Sequence, residues 1–415
     1  MKQIVQYDVA VIGGGPAGIM AAGRAGELGA KVILLEKNQS LGVKLLITGG
    51  GRCNITNDIE NSKLFINSLG TSGQFLLSAF KHFGVREVKD FFESRGVKLK
   101  VEKNNQIFPV SNQAREILQC LLKYLQLGKI EIKFEAEVKK IIRSGNKIEK
   151  LVLTNGEEVF AKSFIIATGG KSYPNTGSTG DGYKWLKELN HQIINPRPGL
   201  TPILLKENWL KKVEGLGLTQ AEISLYQGQK KVANVKGDLI FTAQGISGPA
   251  ALDLSRYIKD NDLFLTVDSF PEIKAGDLVL KLQTLLAVNG KKILKNCLVN
   301  FIPPKLISVL GDLLAIDLTK KASAITKIER QKLVDLFKSF KLQIKSVGDY
   351  DRAVITVGGA NLKEINSATM QSKLISNLFV VGELLDLDGP TGGYNLQICW
   401  STGYLAGEKA ALLNN

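Results

Sequence analysis

Residues 7–18 read Tyr7-Asp8-Val9-Ala10-Val11-Ile12-Gly13-Gly14-Gly15-Pro16-Ala17-Gly18, an apolar run that passes directly into a glycine-rich turn. The run 7–12 is rich in β-branched residues and predicts a buried strand. The turn satisfies the spacing G-x-G-x-x-G through Gly13, Gly15 and Gly18. In such a turn the first glycine permits the bend, the second lets a pyrophosphate approach the backbone, and the third lets the helix pack closely on the strand.

The residues that follow complete a nucleotide-binding unit. A helix of small residues is predicted over 19–28 and a second buried strand over 31–35, which ends at Glu36. The helix N-terminus offers unpaired N–H groups and a partial positive charge to phosphates, and Glu36 can accept hydrogen bonds from ribose hydroxyls. Because strand, turn, helix, second strand and terminal acid are all present, we predict a dinucleotide site rather than a glycine turn without a ligand.

The composition is that of a globular protein. The chain has 415 residues, of which 44% are hydrophobic and 22% charged, and this length suggests two or three domains. No apolar run approaches the roughly 20 residues that span a bilayer. The first strand begins too early to leave room for a signal peptide. We therefore expect a cytoplasmic protein with no membrane partner.

The cysteine and histidine content and the net charge bear on three classes of function: disulfide-stabilised proteins, metalloproteins and nucleic-acid-binding proteins. The four cysteines are far apart without a C-x-x-C pair, and there are two histidines, so neither a disulfide framework nor a metal site is expected. The net charge is +15, which could attract RNA. The lysines are scattered, however, whereas nucleic-acid binding usually clusters its charge, so we expect no nucleic-acid partner.

The pattern of elements predicts an interrupted first domain. Residues 1–194 have α/β character, and two prolines in the stretch Asn195-Pro196-Arg197-Pro198 suit a linker. The segments 195–270 and 340–348 are rich in predicted strands, and 271–339 is predicted to be helical. Residues 349–415 return to glycine-rich α/β character. We expect 195–348 to be an insert in a domain made of 1–194 and 349–415.

Two distant parts of the sequence are predicted to bind the two ends of one long ligand. The opening turn would hold an ADP half, while a buried strand ending at Glu383 and a final helix after the loop 386–395 lie near the C-terminus. Ligands of open α/β sheets bind at the carboxyl ends of strands, and the dipole of the last helix would favour negative charge at its start. FAD fits this arrangement better than NAD.

Seven motifs along the chain support the same cofactor. The most specific is Gly50-Gly51-Arg52-Cys53-Asn54-Ile55-Thr56-Asn57, and the others lie at 108–111, 167–174, 177–183, 245–250, 382–386 and 389–397. Through them the chain closely resembles, over essentially its whole length, the YhiN/BaiN-like (aminoacetone-oxidase-like) family of FAD-binding oxidoreductases. The resemblance implies an FAD-binding Rossmann-like fold of the two-dinucleotide-binding-domain type, with an inserted small β-barrel that carries a helical bundle.

The resemblance and the pattern together predict a set of cofactor-binding residues. They share a position at a turn, a strand end or the start of the last helix. The set is Gly13, Gly15, Pro16, Ala17, Gly18, Glu36, Lys37, Lys44, Thr48, Gly49, Gly50, Gly51, Arg52, Cys53, Asn54, Val138, Ala167, Thr168, Gly169, Asp181, Gly382, Glu383, Asp386, Gly393, Asn395, Leu396 and Gln397.

The candidates for catalysis are Arg52, Tyr173 and Tyr394. A tyrosine within hydrogen-bond reach can donate a proton, although a packing role is an ordinary use of buried tyrosine. Relatives often have histidine after Phe-Thr, whereas this chain has Ala243. Cys53 beside a flavin could be a redox thiol only if its pKa were lowered.

The expected activity is hydride transfer between FAD and a small organic substrate. The sequence contains no second G-x-G-x-x-G, so NADH or NADPH would act as a transient reductant at the same flavin. Two alternatives stay open: an FAD-dependent enzyme that modifies RNA, whose binding would weaken steeply with salt, and a non-catalytic flavin-binding or sensor protein.

Overall fold

The computed structural model describes residues 6–259, 262–299 and 301–413. It divides into two compact units, Met1–Pro198 with Val354–Asn415, and Gly199–Ala353. Residues 195–198, predicted as a linker, instead belong to the strand Ile193–Gly199, which pairs with the strand Ile355–Ala360 of the first unit. The prolines are tolerated there because each strand of a two-stranded sheet has an unpaired edge.

The first unit begins with alternating strands and helices. They are β1 (Gln6–Ile12), α1 (Pro16–Glu27), β2 (Val32–Leu35), α2 (Val43–Ile47), β3 (Thr56–Asn57), α3 (Ser62–Ser68), α4 (Leu77–His82), α5 (Val85–Glu93), β4 (Leu99–Glu102), β5 (Gln106–Pro109), α6 (Ala114–Leu125), β6 (Ile130–Lys133), β7 (Val138–Ser144), β8 (Lys147–Leu153), β9 (Glu158–Ile166), α7 (Asp181–Glu188) and β10 (Ile193–Gly199).

The second unit is strand-rich and then helical. Its elements are β11 (Ile203–Leu205), β12 (Gly217–Gln227), β13 (Lys230–Thr242), β14 (Gly245–Ser247), α8 (Pro249–Ser255), β15 (Leu263–Asp268), α9 (Ala275–Val288), α10 (Leu294–Leu298), α11 (Pro304–Leu314), α12 (Lys327–Lys338) and β16 (Phe340–Val347). The six strands form a closed barrel in the order β11-β14-β13-β12-β15-β16. The chain then returns to the first unit with β17 (Ile355–Ala360), β18 (Leu378–Val380) and α13 (Tyr394–Leu412).

The main sheet of the first unit has the order β6-β2-β1-β9-β8-β7, and β18 also pairs with β9. The strand β9 is continuous from Glu158 to Ile166. Its first half pairs antiparallel with β8, and it pairs in parallel with β1 from Phe160 to Ile166. In the second unit β13 is likewise continuous, from Lys230 to Thr242.

Small residues bring α1 and α13 together. A Cβ on Gly403 would lie 2.4 Å from the carbonyl oxygen of Ala17, and one on Gly407 would lie 2.3 Å from that of Ala21. Both helices are buried along this contact. The helix of the opening turn and the closing helix, far apart in sequence, are therefore packed as neighbours in the first unit.

Candidate functional site

The opening turn has the conformation that its glycines predict. Gly13 has φ +103, and a Cβ there would lie 2.6 Å from the Ala167 carbonyl oxygen. A Cβ on Gly18 would lie 1.9 Å from the Gly13 carbonyl oxygen, so α1 packs against the turn itself. A Cβ on Gly15 would meet nothing within 4 Å. The backbone in front of α1, which continues with Pro16 and Ala17, is therefore open at the position where a phosphate would approach.

Glu36 is fixed beside this turn. The side chain is buried, its Oε2 accepts a hydrogen bond from the Gly14 N–H at 2.7 Å, and its Oε1 accepts one from the Asn38 N–H at 2.8 Å. A carboxylate offers about four lone-pair sites. Two sites therefore stay available for the ribose hydroxyls of a nucleotide.

Lys37 connects the end of β2 with the first turn of α7. Its Nζ donates to Thr179 Oγ1 at 2.6 Å and to Asp181 Oδ2 at 2.7 Å. Burial alone would raise the pKa of Asp181, but the hydrogen bonds from Lys37 and Thr179 outweigh it and lower that pKa. Asp181 is thus a stable anion that holds Lys37 in place.

A second polar network surrounds Lys44. Its Nζ donates to Ser172 Oγ at 2.5 Å and to Glu383 Oε2 at 2.9 Å. The other carboxylate oxygen of Glu383 accepts from the Thr356 N–H at 2.8 Å and from the Ser172 hydroxyl at 2.9 Å. Sequence reasoning missed Ser172 and Thr356. Nothing in the local pattern around Thr356 distinguishes its hydroxyl from that of any strand threonine.

The loop after α2 presents backbone rather than side chains. Thr48, Gly49, Gly50 and Gly51 form a 3₁₀ turn, and the three glycines have φ +57, +68 and +84. Cys53 follows with φ +60. Burial raises the pKa of the Cys53 thiol to about 12, so the thiol is protonated near neutral pH and is a poor redox nucleophile.

Arg52 points its guanidinium at protein partners. Its Cζ lies 3.9 Å from the centre of the Phe108 ring. Its Nη1 donates to Glu102 Oε2 at 3.0 Å and to Asn112 Oδ1 at 3.3 Å. The described contacts of Arg52 therefore hold it against β4 and β5, and a catalytic role for it stays a prediction.

The same loop is connected to the start of α13. In the amide orientation that satisfies its neighbours, Asn54 accepts from the Gly393 N–H at 3.0 Å. A Cβ on Gly393 would lie 2.3 Å from the backbone carbon of Thr56. Thr56 Oγ1 donates to Gln397 Oε1 at 2.6 Å. The loop and the helix start, more than 300 positions apart, thus form one structure.

Gln397 and Asn395 use their side chains within the protein. The Gln397 Nε2 donates to the Phe83 carbonyl at 3.0 Å and to Ser401 Oγ at 2.9 Å, and the residue is fully buried. The Asn395 Oδ1 accepts from the Gly389 N–H, and its Nδ2 donates to the Gly389 carbonyl, both at 2.9 Å. These contacts shape the start of α13, and a contact of either residue with the cofactor stays a prediction.

The predicted residues at the strand ends lie where parallel strands finish. Ala167, Thr168 and Gly169 follow β9, and a Cβ on Gly382 would lie 2.8 Å from the Ala17 Cβ. The Asp386 N–H donates to the Ala360 carbonyl at 3.0 Å. Val138 is the buried first residue of β7.

Tyr173 and Tyr394 differ in their surroundings. Tyr173 is half-buried and has φ +52, a backbone conformation uncommon for a residue other than glycine. Tyr394 is buried, and its ring centre lies 4.8 Å from that of Phe65. Tyr394 has the packing that a structural tyrosine shows, whereas Tyr173 is the more accessible of the two.

FAD fits these residues. The space in front of Gly15 is open, Glu36 offers acceptors beside it, and the bare loop 48–51 adjoins the start of α13. The Thr168 hydroxyl is buried, and no described residue hydrogen-bonds to it, as expected for a group that a ligand completes. No metal-sized cluster of three histidine, cysteine or acidic side chains exists among the described residues. Within the same ranges, no helix combines the length and apolarity that crossing a bilayer requires.

Comparison with known proteins gives full-length relatives. The HI0933-like protein Rossmann domain matches residues 7–409. The chain is 32% identical over 410 residues to a 3-dehydro-bile acid delta(4,6)-reductase of Clostridium scindens, covering 97% of this chain and 98% of the relative. It is 27% identical over 406 residues to the ribosomal RNA dihydrouridine synthase of Escherichia coli, covering 97% and 98%.

Solved structures share the fold at low sequence identity. A flavocytochrome c3 fumarate reductase in an open conformation aligns with TM-score 0.53 and 16% identity over 99% of this chain and 78% of that chain. A 3-ketosteroid-delta4-(5alpha)-dehydrogenase of Rhodococcus jostii aligns with TM-score 0.51 and 16% identity over 99% and 98%. The Rossmann fold with a small closed barrel and the FAD-dependent enzyme class predicted from the sequence are confirmed. This chain belongs to the HI0933-like Rossmann family of FAD-dependent oxidoreductases.

Proposed function

We propose that this protein is an FAD-dependent reductase that adds hydrogen across a C=C bond conjugated to a carbonyl. The observation that carries the proposal is the shared chemistry of the two full-length relatives. One is named as a delta(4,6)-reductase of a 3-dehydro-bile acid and the other as a dihydrouridine synthase. A 4,5 double bond beside a 3-oxo group and the 5,6 double bond of uridine are both conjugated to a carbonyl.

The residues of this chain have separable tasks in that reaction. When bound, FAD supplies a two-electron carrier that can deliver a hydride. Glu36 would hold the ribose, the backbone of residues 15–18 would bind the pyrophosphate, and the dipole of α13 would favour negative charge at the flavin. Tyr173, the more accessible tyrosine, gives a proton to the substrate. Arg52, held in place through Nη1 by Glu102 and Asn112, offers its other N–H donors to an anionic group of the substrate.

Under this proposal NADH or NADPH would bind only transiently as the reductant. The sequence has one G-x-G-x-x-G motif and so offers no separate nicotinamide-binding domain. The test is anaerobic reduction of the purified protein by each nicotinamide, followed by a conjugated enone, its saturated ketone and an amine. We expect only the enone to reoxidise the flavin rapidly. Tyr173→Phe is expected to slow that step roughly a hundredfold while flavin reduction is unchanged. Equal reoxidation by the saturated ketone or the amine would contradict the proposal.

RNA is a second candidate for the molecule that carries the C=C bond. The Leu294 N–H donates to the Lys320 carbonyl and the Ala322 N–H to the Lys292 carbonyl, both at 2.8 Å. These bonds place two chain segments side by side in the second unit. The segments carry five lysines: Lys291, Lys292, Lys295, Lys320 and Lys321. Lys320 is paired with Glu329, and the positive charge of the other four lysines supports RNA as a candidate.

The test of this candidate is RNA affinity as a function of salt. Each phosphate contact contributes about 0.7 to the slope for single strands, so Lys291→Gln/Lys292→Gln/Lys295→Gln is expected to reduce the slope by roughly 2. The control is Lys139→Gln/Lys140→Gln, two exposed lysines on β7, with an expected change of about one or less. No measurable RNA affinity at low salt would leave the small molecule as the substrate.

A further inference from the structure

Asn57 is a buried side chain that the prediction of the site did not include. It is the last residue of β3 and lies opposite Gln106 of β5. The residue is 3% exposed. Its Nδ2 donates to the Asn104 carbonyl at 3.1 Å and to the Gly392 carbonyl at 3.0 Å. Because both bonds require the amide nitrogen, they fix which way the carbonyl oxygen of the side chain points.

That oxygen has no donor. The Asn57 Oδ1 is buried, and no group of the described residues hydrogen-bonds to it. A buried acceptor left without a partner costs about 1–3 kcal/mol, and such groups in folded proteins call for an explanation such as a ligand. The fixed orientation of Asn57 therefore points to a bound molecule that carries a donor.

The position of Asn57 in the fold points to the cofactor as the molecule that carries this donor. Gly392, its hydrogen-bond partner, immediately precedes Gly393, the N-cap of the 19-residue helix α13. Asn54, in the same loop, is bonded to the Gly393 N–H. The Asn57 side chain therefore lies beside the α13 end of the proposed cofactor site. In oxidised flavin the pyrimidine ring has a single N–H, at N3, beside two carbonyl groups that accept hydrogen bonds.

We propose that Asn57 Oδ1 accepts a hydrogen bond from the N3–H of the flavin and so orients the pyrimidine ring at the start of α13. The proposal rests on the FAD site of the proposed function and is independent of the substrate. Asn57 is a positioning residue for the cofactor. The interaction distinguishes flavin from any ring that lacks an N–H at this position.

The first test uses two cofactors. Apoprotein is titrated with FAD and with N3-methyl-FAD, which lacks the donor. We expect wild type to prefer FAD at least roughly tenfold and Asn57→Ala, which removes the acceptor and makes room for the methyl group, to bind both nearly equally. Asn61→Ala removes the cap of α3 and is the control, with the wild-type preference retained. An equal preference in wild type and Asn57→Ala would overturn the proposal.

The second test does not depend on a variant that folds. The N3–H proton of FAD labelled with ¹⁵N at N3 is observed by NMR in the wild-type holoprotein. We expect this proton to exchange slowly with water because it is buried in a hydrogen bond. Rapid exchange would overturn the proposal, even if Asn57→Ala weakened FAD binding. A protected N3–H in a protein that reduces no enone would leave this proposal standing and reject only the proposed reaction.

Discussion

The two ends of the proposed cofactor site are built in different ways. At the opening turn, Gly13, Gly15, Gly18 and Glu36 lie within one strand–helix–strand unit. At the far end, Thr56 contacts Gln397 across 341 positions, and Asn57 contacts the Gly392 carbonyl across 335. The first end is specified by local backbone geometry. The second exists only when the chain has folded, because long-range polar contacts assemble it.

This difference predicts which substitutions reduce stability and which reduce the affinity for FAD. At the opening turn, the protein itself crowds Gly18. Gly15, three positions earlier, would be crowded only by a ligand. At the far end, the side chains of Thr56, Asn57 and Gln397 bond to segments that are distant in the sequence.

The sharpest contrast is between Gly18 and Gly15. A Cβ on Gly18 would lie 1.9 Å from the Gly13 carbonyl oxygen, whereas one on Gly15 would meet nothing within 4 Å. We expect Gly18→Val to lower the free energy of unfolding by about 4 kcal/mol or more. Gly15→Val should fold with nearly the wild-type Tm as apoprotein but bind FAD roughly a hundredfold more weakly. Thermal unfolding and FAD titration of both variants decide this, and equal loss of stability in the two would contradict it.

At the far end, Gln397 should affect stability before affinity. Gln397→Leu leaves the Thr56 hydroxyl and the Phe83 carbonyl without this partner in a fully buried place. We expect the free energy of unfolding to fall by about 2–3 kcal/mol. The control is Gln126→Leu, at an exposed position after α6, where urea unfolding should show a change of about 0.5 kcal/mol or less. A stable Gln397→Leu protein that merely loses FAD would reverse the roles assigned to this residue.

The ion pair between Lys44 and Glu383 joins α2 to the segment that follows β18. Both side chains are about one-fifth exposed, so screening by water is incomplete. A double-mutant cycle with Lys44→Met and Glu383→Gln should give a coupling energy of about 1–2 kcal/mol in apoprotein. The cycle for Lys212 and Asp312, an exposed pair, should give a few tenths of a kcal/mol. Equal coupling energies in the two cycles would show that Lys44 and Glu383 stabilise the protein no more than an exposed ion pair does.

His191 tests a long-range cluster outside the site. Its Nδ1 lies 3.1 Å from Glu364 Oε2 and its Nε2 lies 2.9 Å from Ser372 Oγ. Burial lowers the pKa of His191, and the nearby Glu364 only partly offsets it. The unfolded chain therefore binds this proton more readily, so stability is fully present above about pH 6.5 and decreases below it, by at most about 1.4 kcal/mol per pH unit.

The measurement for His191 is the free energy of unfolding in urea, followed from about pH 7.5 down through about pH 6.5. His191→Gln should lose part of the slope seen in wild type just below pH 6.5, whereas His82→Gln, at an exposed residue, should keep it. Identical pH profiles for wild type and His191→Gln would show that the buried imidazole does not contribute.

The same contrast explains what the sequence could predict. The opening turn follows from the spacing of its glycines and the strand-rich character of the insert from its sequence pattern, because both depend on neighbours in the chain. The closed barrel was expected only because the motifs resemble those of a known family. Lys162 interrupts the apolar run of β9, and in the fold its Nζ pairs with Asp8. Ser172, Thr356 and Asn57 were not predicted as site residues, and each has a partner more than a hundred positions away.

The central claim is that one FAD molecule extends from the opening turn to the start of α13. The most direct measurement is hydrogen–deuterium exchange of the apoprotein and of the FAD-bound protein. The account predicts that FAD slows exchange in three peptides at once: those that contain residues 13–18, 48–57 and 392–397. Protection of the first peptide alone, with unchanged exchange at the other two, would contradict it.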